Sequence, residues 1–197
     1  EINVDYLFNK KIEYDDITHS LEMDSAIRPY IFTIYNNVEK LSTIFPNQKI
    51  NCLELGIWSG SSTRSILAAV NDMNAFLTSI DIVDYSNYFN PELNKWRFIL
   101  GDSTIYDLQD NFHFIFVDTA HKYEDTKKEI KLWLPKLYVN GIMMFHDIVF
   151  AKDDVLKAIE EFLHTDMNLK KVNFTTIDSF PGLGIMTKLS DDINYNF

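Results

Sequence analysis

The chain has 197 residues, and its 18 Lys and Arg against 29 Asp and Glu give a formal net charge of −11. That length with 46% apolar and 24% charged residues predicts one globular domain, while so acidic a surface disfavours nucleic acid and anionic membranes as partners. The single cysteine, Cys52, excludes an internal disulfide or a multi-cysteine metal site and fits a reducing cytoplasm, and the longest apolar run, Ile66–Val70, is far short of the ~20 residues of a membrane span.

Glu1–Leu21 is mixed in character, with room for a short helix. From Ser25 to Leu41 the apolar positions Ile27, Tyr30, Ile31, Ile34, Tyr35, Val38 and Leu41 recur at helical spacing. Asp24 or Ser25 is placed to cap that helix and Pro29 falls in its first turn. These residues are expected to form a helical N-terminal extension over 1–48, ahead of a main domain over 49–197. From Ile50 onward short apolar runs alternate with amphipathic ones. Strands are expected at 50–55, 76–80, 96–100, 112–117 and 141–145, and helices at 62–73, 124–137 and 154–164. Two last strands, 172–177 and 183–187, flank Asp178-Ser179-Phe180-Pro181-Gly182 and suggest an antiparallel hairpin. The alternation implies an α/β fold with a mostly parallel sheet.

In such sheets ligands bind beyond the carboxyl ends of the strands. Those ends here carry Gly56, Asp81, Asp102, Asp118, His146 and Asp147. Between the first strand and its helix runs Glu54-Leu-Gly56-Ile-Trp-Ser-Gly60-Ser-Ser-Thr63. Gly56 permits a tight turn, Gly60 permits close approach of a ligand, and the helix that follows offers free N–H groups. Asp81 lies 21 residues past Gly60, the spacing of an acid that meets a ribose hydroxyl pair. A nicotinamide-binding loop would have glycine where Trp58 stands, a P-loop would have a lysine, and a nucleophile elbow would have its serine one position earlier than Ser59. A purely structural turn is the remaining alternative.

The acid, one residue, glycine, three residues, glycine pattern of Glu54, Gly56 and Gly60 resembles the first motif of class I S-adenosylmethionine-dependent methyltransferases. Ser61-Ser-Thr63 after it is similar to the small O-methyltransferases of catechol and sugar type. The likeness runs over roughly residues 48–189 and includes Phe116-Val-Asp118-Thr-Ala-His121-Lys-Tyr123-Glu-Asp125, Leu132-Trp-Leu-Pro135-Lys-Leu and Asn140-Gly141-Ile-Met-Met-Phe-His146-Asp147. It implies a Rossmann-like methyltransferase fold of seven strands with the last antiparallel, and S-adenosylmethionine as cofactor. It further implies Gly56 and Gly60 beneath the methionine part, Asp81 on the ribose, Asp102 and Ser103 beside the adenine, and Glu54 orienting either the loop or the cofactor's ammonium. Ser61 and Thr63 join the cofactor set on the same likeness. The departure is Trp58, where a central glycine is common. A sulfonium cofactor carries no phosphate and suits acidic walls, and only Arg64 is near the loop in sequence.

Methylating a hydroxyl requires removing its proton, by a positioned base or with a divalent cation. His121, three residues past Asp118, has an ordinary pKa near 6.5, suited to a base. By resemblance to catechol-type enzymes, Asp118, His146 and Asp147 match metal ligands and His121 the base. His146-Asp147 stands where Asp-Asn is usual, and the imidazole makes Mn²⁺ as natural a guest as Mg²⁺. Asp118 has a second reading, as partner of the cofactor's ammonium. His121 has one as a loop cap, and His146 one as a ring turned into the sheet. The expectation is methyl transfer to an oxygen of a small molecule (sugar, phenol or natural-product alcohol) by a cytoplasmic protein, with a homodimer as the assembly considered. The extension and a loop holding Tyr85, Tyr88 and Phe89 are expected to cover the acceptor. Three rivals remain: a non-catalytic methyltransferase-like subunit, an NAD-dependent oxidoreductase, for which the Tyr-x-x-x-Lys pair is missing, and an N-methyltransferase, whose Asn-Pro-Pro-Tyr segment is replaced by Asp118-Thr-Ala-His121.

Overall fold

The computed structural model describes residues 26–89, 93–165 and 167–197; the short helix expected within 1–21 and the cap at Asp24 or Ser25 lie outside them. Seven strands, β1 (Ile50–Leu55), β2 (Ala75–Asp81), β3 (Trp96–Leu100), β4 (Phe112–Val117), β5 (Leu137–His146), β6 (Val172–Ile177) and β7 (Leu183–Lys188), form one sheet. Their order is β3-β2-β1-β4-β5-β7-β6, and β7 runs antiparallel to both its neighbours. This is the Rossmann-like α/β arrangement expected. The chain divides into two compact units, one ending at Gly101 and one spanning Asp102–Phe197.

In the first unit β1, β2 and β3 pair in parallel, Leu55 opposite Ile80 and Asp81 opposite Leu100. The three carboxyl ends therefore finish together, which brings Gly56 and Asp81 side by side. The helix expected over 25–41 is broken into three: a 3₁₀ turn Arg28–Tyr30, helix α1 (Ile31–Glu39) and helix α2 (Leu41–Ile44). Pro29 sits in the 3₁₀ turn, where a missing N–H costs nothing. The stripe Ile31, Ile34, Val38, Leu41 is buried as its spacing requires. Helix α3 (Ser61–Asn71) is buried along its whole length from Ser61 to Val70, with no solvent face. Its polar residues must therefore find partners inside; Ser65 does so by donating to the carbonyl of Ile31 at 2.7 Å.

In the second unit β4 pairs in parallel with β5, and β6 pairs with β7 as the hairpin expected. The fifth strand begins at Leu137, four residues before the expected start at Gly141. Its register against β4 slips between Phe112↔Leu137 and Phe114↔Ile142. The slip holds Asn140 in a left-handed conformation (φ 69°) and puts Gly141 where a Cβ would lie 2.8 Å from the Tyr138 carbonyl oxygen. Helix α4 (Tyr123–Trp133) ends in a 3₁₀ turn through Pro135. Helix α5 (Lys157–His164) is preceded by a π turn over Lys152–Leu156, where a continuous helix from 154 was expected. Phe112, Phe114, Phe116, Phe145, Met143, Met144 and Trp133 fill the core of this unit.

Candidate active site

The glycine loop of the first unit is built on left-handed backbone. Gly56 (φ 86°), Trp58 (φ 43°) and Gly60 (φ 74°) all adopt it. Gly60 begins α3, and a Cβ there would come 2.4 Å from Cζ of Phe89, so both conformation and space require glycine. Trp58 takes a glycine-like conformation with its indole 59% exposed. Asp81, from the end of β2, closes the loop. Its Oδ2 accepts the amides of Ile57 (2.7 Å) and Trp58 (3.3 Å), and its Oδ1 accepts that of Val83 (2.9 Å).

Glu54 lies fully buried beneath the loop. Ser62 donates to it at 2.7 Å, Thr63 at 2.9 and 3.0 Å, and Ser79 at 2.7 Å. The structure thus brings Glu54 and Thr63 together, while the Ser61 hydroxyl lies 3.3 Å from that of Ser59. Arg64 is turned inward, donating to the Ser59 carbonyl at 2.7 Å with its guanidinium 5.0 Å over the Phe89 ring. The loop's neighbouring cation is thereby spent on the backbone rather than offered to a phosphate. Phe89, expected on a covering loop, is instead packed inside against Trp96 (centroids 4.7 Å apart).

In the second unit Asp102 accepts the amide (2.8 Å) and hydroxyl (2.7 Å) of Thr104, and these bonds hold its pKa below the usual range. The Ser103 hydroxyl points away into α4, donating to Oε1 of Glu129 at 2.5 Å, and its carbonyl accepts Nε1–H of Trp133 at 2.7 Å. Oε2 of Glu129 also receives the hydroxyl of Thr119, at 3.1 Å. Glu129 therefore ties the segment after β3 to the segment after β4. Sequence reading passed over it, although it falls in the buried stripe Thr126, Glu129, Ile130, Trp133 of α4. Burial, helped by the charges of Asp125 and Asp102 and opposed by the two hydroxyl bonds, raises its pKa to about 7.

The folded protein thus holds a proton on Glu129 that the unfolded chain releases near pH 4.5. Stability should fall as pH rises from about 4.5 to 7 and level off above, a cost of about 3 kcal/mol. Glu129→Gln keeps an uncharged partner for both hydroxyls. Melts at pH 8 should find this variant the more stable, with near-parity at pH 4.5; a parent at least as stable at pH 8 contradicts the assignment.

Asp118, His121, His146 and Asp147 converge at the carboxyl ends of β4 and β5. Nε2 of His121 lies 2.9 Å from Oδ1 of Asp118 and 2.8 Å from Oδ2 of Asp147. Nδ1 of His146 lies 3.3 Å from the same Asp118 oxygen and 3.0 Å from the same Asp147 oxygen. Nitrogen and oxygen alternate around a four-atom ring. His121 (φ 53°) and Asp147 (φ 60°) both reach it from left-handed backbone, a strain typical of residues held for function.

The hydrogen bonds of Asp118 and then Asp147 outweigh partial burial and raise the His121 pKa to about 9. Burial lowers that of His146, but the same two carboxylates outweigh it and raise the net value to about 10. Burial raises both aspartates, and the two imidazoles overcome it and hold both low. The base of pKa near 6–7 expected from sequence is thus corrected: two carboxylates grip the His121 proton.

The one donor atom from each residue lies within 4.8 Å of all the others. Edges near 3 Å are what neighbouring donors about 2.1 Å from a shared ion span. Two carboxylates with two imidazoles suit Mn²⁺ at least as well as Mg²⁺. The donor set fits a divalent cation, and the protons shared within the ring occupy the place of its charge.

Residues 53–148 match the model of a family described as a methyltransferase domain. No curated protein matches the chain. Among solved structures, it resembles the methyltransferase MycE of the mycinamycin biosynthetic pathway in complex with Mg, SAH and mycinamycin VI. The TM-score is 0.59 at 14% identity, over 80% of this chain and 50% of that one. The chain therefore spans about half the length of that enzyme. It also resembles the O-methyltransferase NovP, with a TM-score of 0.62 at 18% identity over 81% and 79% of the two chains. The N-methyltransferase NodS of Bradyrhizobium japonicum WM9, in complex with S-adenosyl-L-homocysteine, gives 0.61 at 12% identity over 95% and 100%. These likenesses establish the fold, which O- and N-methyltransferases share. Among the described residues no helix is long and apolar enough to cross a membrane.

Proposed function

We infer that the chain, whose residues 53–148 match a methyltransferase-domain model, is a class I methyltransferase and that it transfers a methyl group from S-adenosylmethionine to a hydroxyl oxygen of a small molecule. The observation that carries this reading is the alternating ring of Asp118, His121, Asp147 and His146. A neutral amine already has a reactive lone pair. A hydroxyl has to shed its proton, and a cluster that can accept a proton or hold a cation answers that need.

S-adenosylmethionine supplies an electrophilic methyl on a sulfonium that departs as a neutral thioether. Gly56, Gly60 and the start of α3 at Ser61 would hold its methionine part, with Glu54 and Thr63 bracing that turn from below. Asp81 has lone pairs left beyond its three amide bonds for the ribose hydroxyls. Asp102 and the backbone of Ser103 would lie by the adenine, and Asp118 remains available to the ammonium as well as to a cation. The inward-turned Arg64 supports a cofactor without phosphates. Asp118, His146 and Asp147 would hold Mg²⁺ or Mn²⁺, which lowers the pKa of a hydroxyl bound to it. His121 would take the proton at Nε2. The division into an extension over 1–48 and a catalytic domain over 49–197, and a cytoplasmic location, belong to the same proposal.

Calorimetry tests it. S-adenosylhomocysteine should bind at micromolar concentration and NAD should not, while Asp81→Ala should weaken S-adenosylhomocysteine by about 1–3 kcal/mol through unmet hydroxyl partners. Binding of NAD in place of S-adenosylhomocysteine would overturn the reading.

A further inference from the structure

Glu129 is fully buried on α4, at a place in the stripe Thr126, Glu129, Ile130, Trp133 where an apolar side chain would be easier to bury. The methyl-transfer reading gives it no part. A residue that breaks the local pattern at a cost in stability points to a role outside the core. Its two oxygens reach two separate segments: Oε1 accepts the hydroxyl of Ser103 at 2.5 Å, and Oε2 accepts that of Thr119 at 3.1 Å.

The first tie holds a whole turn. Trp133, one helical turn past Glu129, donates Nε1–H to the Ser103 carbonyl at 2.7 Å, so α4 grips Ser103 by side chain and main chain together. The residues around Ser103 are bonded into one piece. The amide and hydroxyl of Thr104 return to Oδ1 of Asp102, and the amides of Ile105 and Tyr106 return to its carbonyl at 3.2 and 2.8 Å. Fixing Ser103 therefore fixes Asp102.

The second tie holds a bend. Thr119 follows Asp118 directly and lies two residues before His121. Asp118 and His121 meet at 2.9 Å across it, with His121 in left-handed backbone. The pair thus closes over a tight bend that Glu129 holds at Thr119. A hydroxyl donates to a carboxylate and accepts from a carboxylic acid equally well. Both ties therefore outlast the exchange of a proton by Glu129, whose pKa is about 7.

We propose that Glu129 is a positioning residue of the methyl-transfer site: through Ser103 and Thr119 it sets both the turn that is to lie by the adenine and the bend that carries Asp118 and His121. This rests on the methyl-transfer reading above and adds to it a residue that acts only through others.

The test compares the parent chain with Glu129→Leu, Glu129→Gln and Ile130→Ala, the last a control that weakens α4 through its apolar core. Calorimetry reads S-adenosylhomocysteine affinity. Imidazole NMR reads the His121 ring, assigned from the signal that His121→Gln removes. At pH 7 and below each melting temperature, Glu129→Leu should weaken S-adenosylhomocysteine about tenfold and displace the His121 signal. Glu129→Gln donates to one hydroxyl and accepts from the other, so it should restore both readings, and Ile130→Ala should disturb neither. The proposal is overturned if Glu129→Leu leaves both readings unchanged, if Ile130→Ala moves them as far, or if Gln does not rescue. Should Glu129→Leu not fold, Ser103→Ala and Thr119→Val cut the ties singly. The first should weaken S-adenosylhomocysteine, although its hydroxyl points into α4, and the second should displace the His121 signal; either one behaving as the parent overturns the proposal. If S-adenosylhomocysteine does not bind the parent, the cofactor reading fails, and the His121 signal alone upholds or overturns the role of Glu129.

Discussion

Replacing His121 by Gln should lower methyl transfer by about 10²–10⁴-fold and leave S-adenosylhomocysteine affinity nearly unchanged. The variant keeps a polar group of similar reach but cannot accept a proton from a hydroxyl. In the parent, Nε2 of His121 sits between Oδ1 of Asp118 and Oδ2 of Asp147, and the proton they hold there dissociates near pH 9. A base works only after losing its own proton, so without a bound cation the rate should climb with pH to about 9 and then level. The same grip contributes stability that is complete below pH 6.5, the ordinary histidine value, and is lost as pH rises through 9. A divalent cation held by Asp118, His146 and Asp147 would draw on the two carboxylates that grip the His121 proton and so free Nε2 to act as the base. Adding one should move the rise in rate to lower pH, and exhaustive chelation should suppress transfer while sparing cofactor binding. If His121→Gln turns over like the parent at every pH, His121 has no part in the chemistry. Full activity after chelation would leave His121 to act without a metal.

Glu54→Ala should destabilise the protein by about 3–5 kcal/mol and abolish cofactor binding. The carboxylate is fully buried, and the hydroxyls of Ser62, Thr63 and Ser79 all donate to it. Alanine strands those donors in the interior and leaves a void under the glycine loop. Two of the three are in the first turn of α3, so the turn that is to face the cofactor loses its support. Glu54→Gln retains an acceptor oxygen and should cost about 1 kcal/mol. Urea unfolding separates the two outcomes; equal stability of the Ala and Gln variants would show that the hydroxyls find other acceptors and that Glu54 is not their anchor.

The strands could be read from sequence because parallel sheets bury both faces and leave mostly apolar runs, such as Phe112–Val117 with only His113 polar, that stop abruptly at a glycine or an acid. Those stops put Gly56, Asp81, Asp118 and Asp147 at one end of their strands from the residue pattern alone. The start of β5 was hidden, because exposed Tyr138 and Asn140 around a slipped register break the apolar run before Gly141. The Pro29 and Pro135 turns show the limit of reading helices from period alone, since the apolar stripe continues through a change of helix type. The four residues of the acid–imidazole ring could each be named in sequence, but not the pKa of His121. That value depends first on Asp118 turning its carboxylate to the ring and then on Asp147, 26 residues away, arriving within 2.8 Å. Arg64, in sequence only the cation nearest the loop, proves internal, because nothing local reveals that α3 lacks a solvent face.

The left-handed backbone at His121 and Asp147 has a consequence for the variation these positions tolerate. At φ 53° and 60° the main chain itself screens candidates: glycine enters freely, asparagine, aspartate and histidine more readily than other side chains, while a β-branched residue also crowds its second γ atom against the backbone. Most random substitutions there are penalised twice, once in the conformation and once in the chemistry, and the small set that passes the first screen consists largely of residues able to bind a proton or a metal. The chain path thus acts as a filter on heredity, keeping the neighbourhood of workable sequences narrow and biased toward ligating side chains.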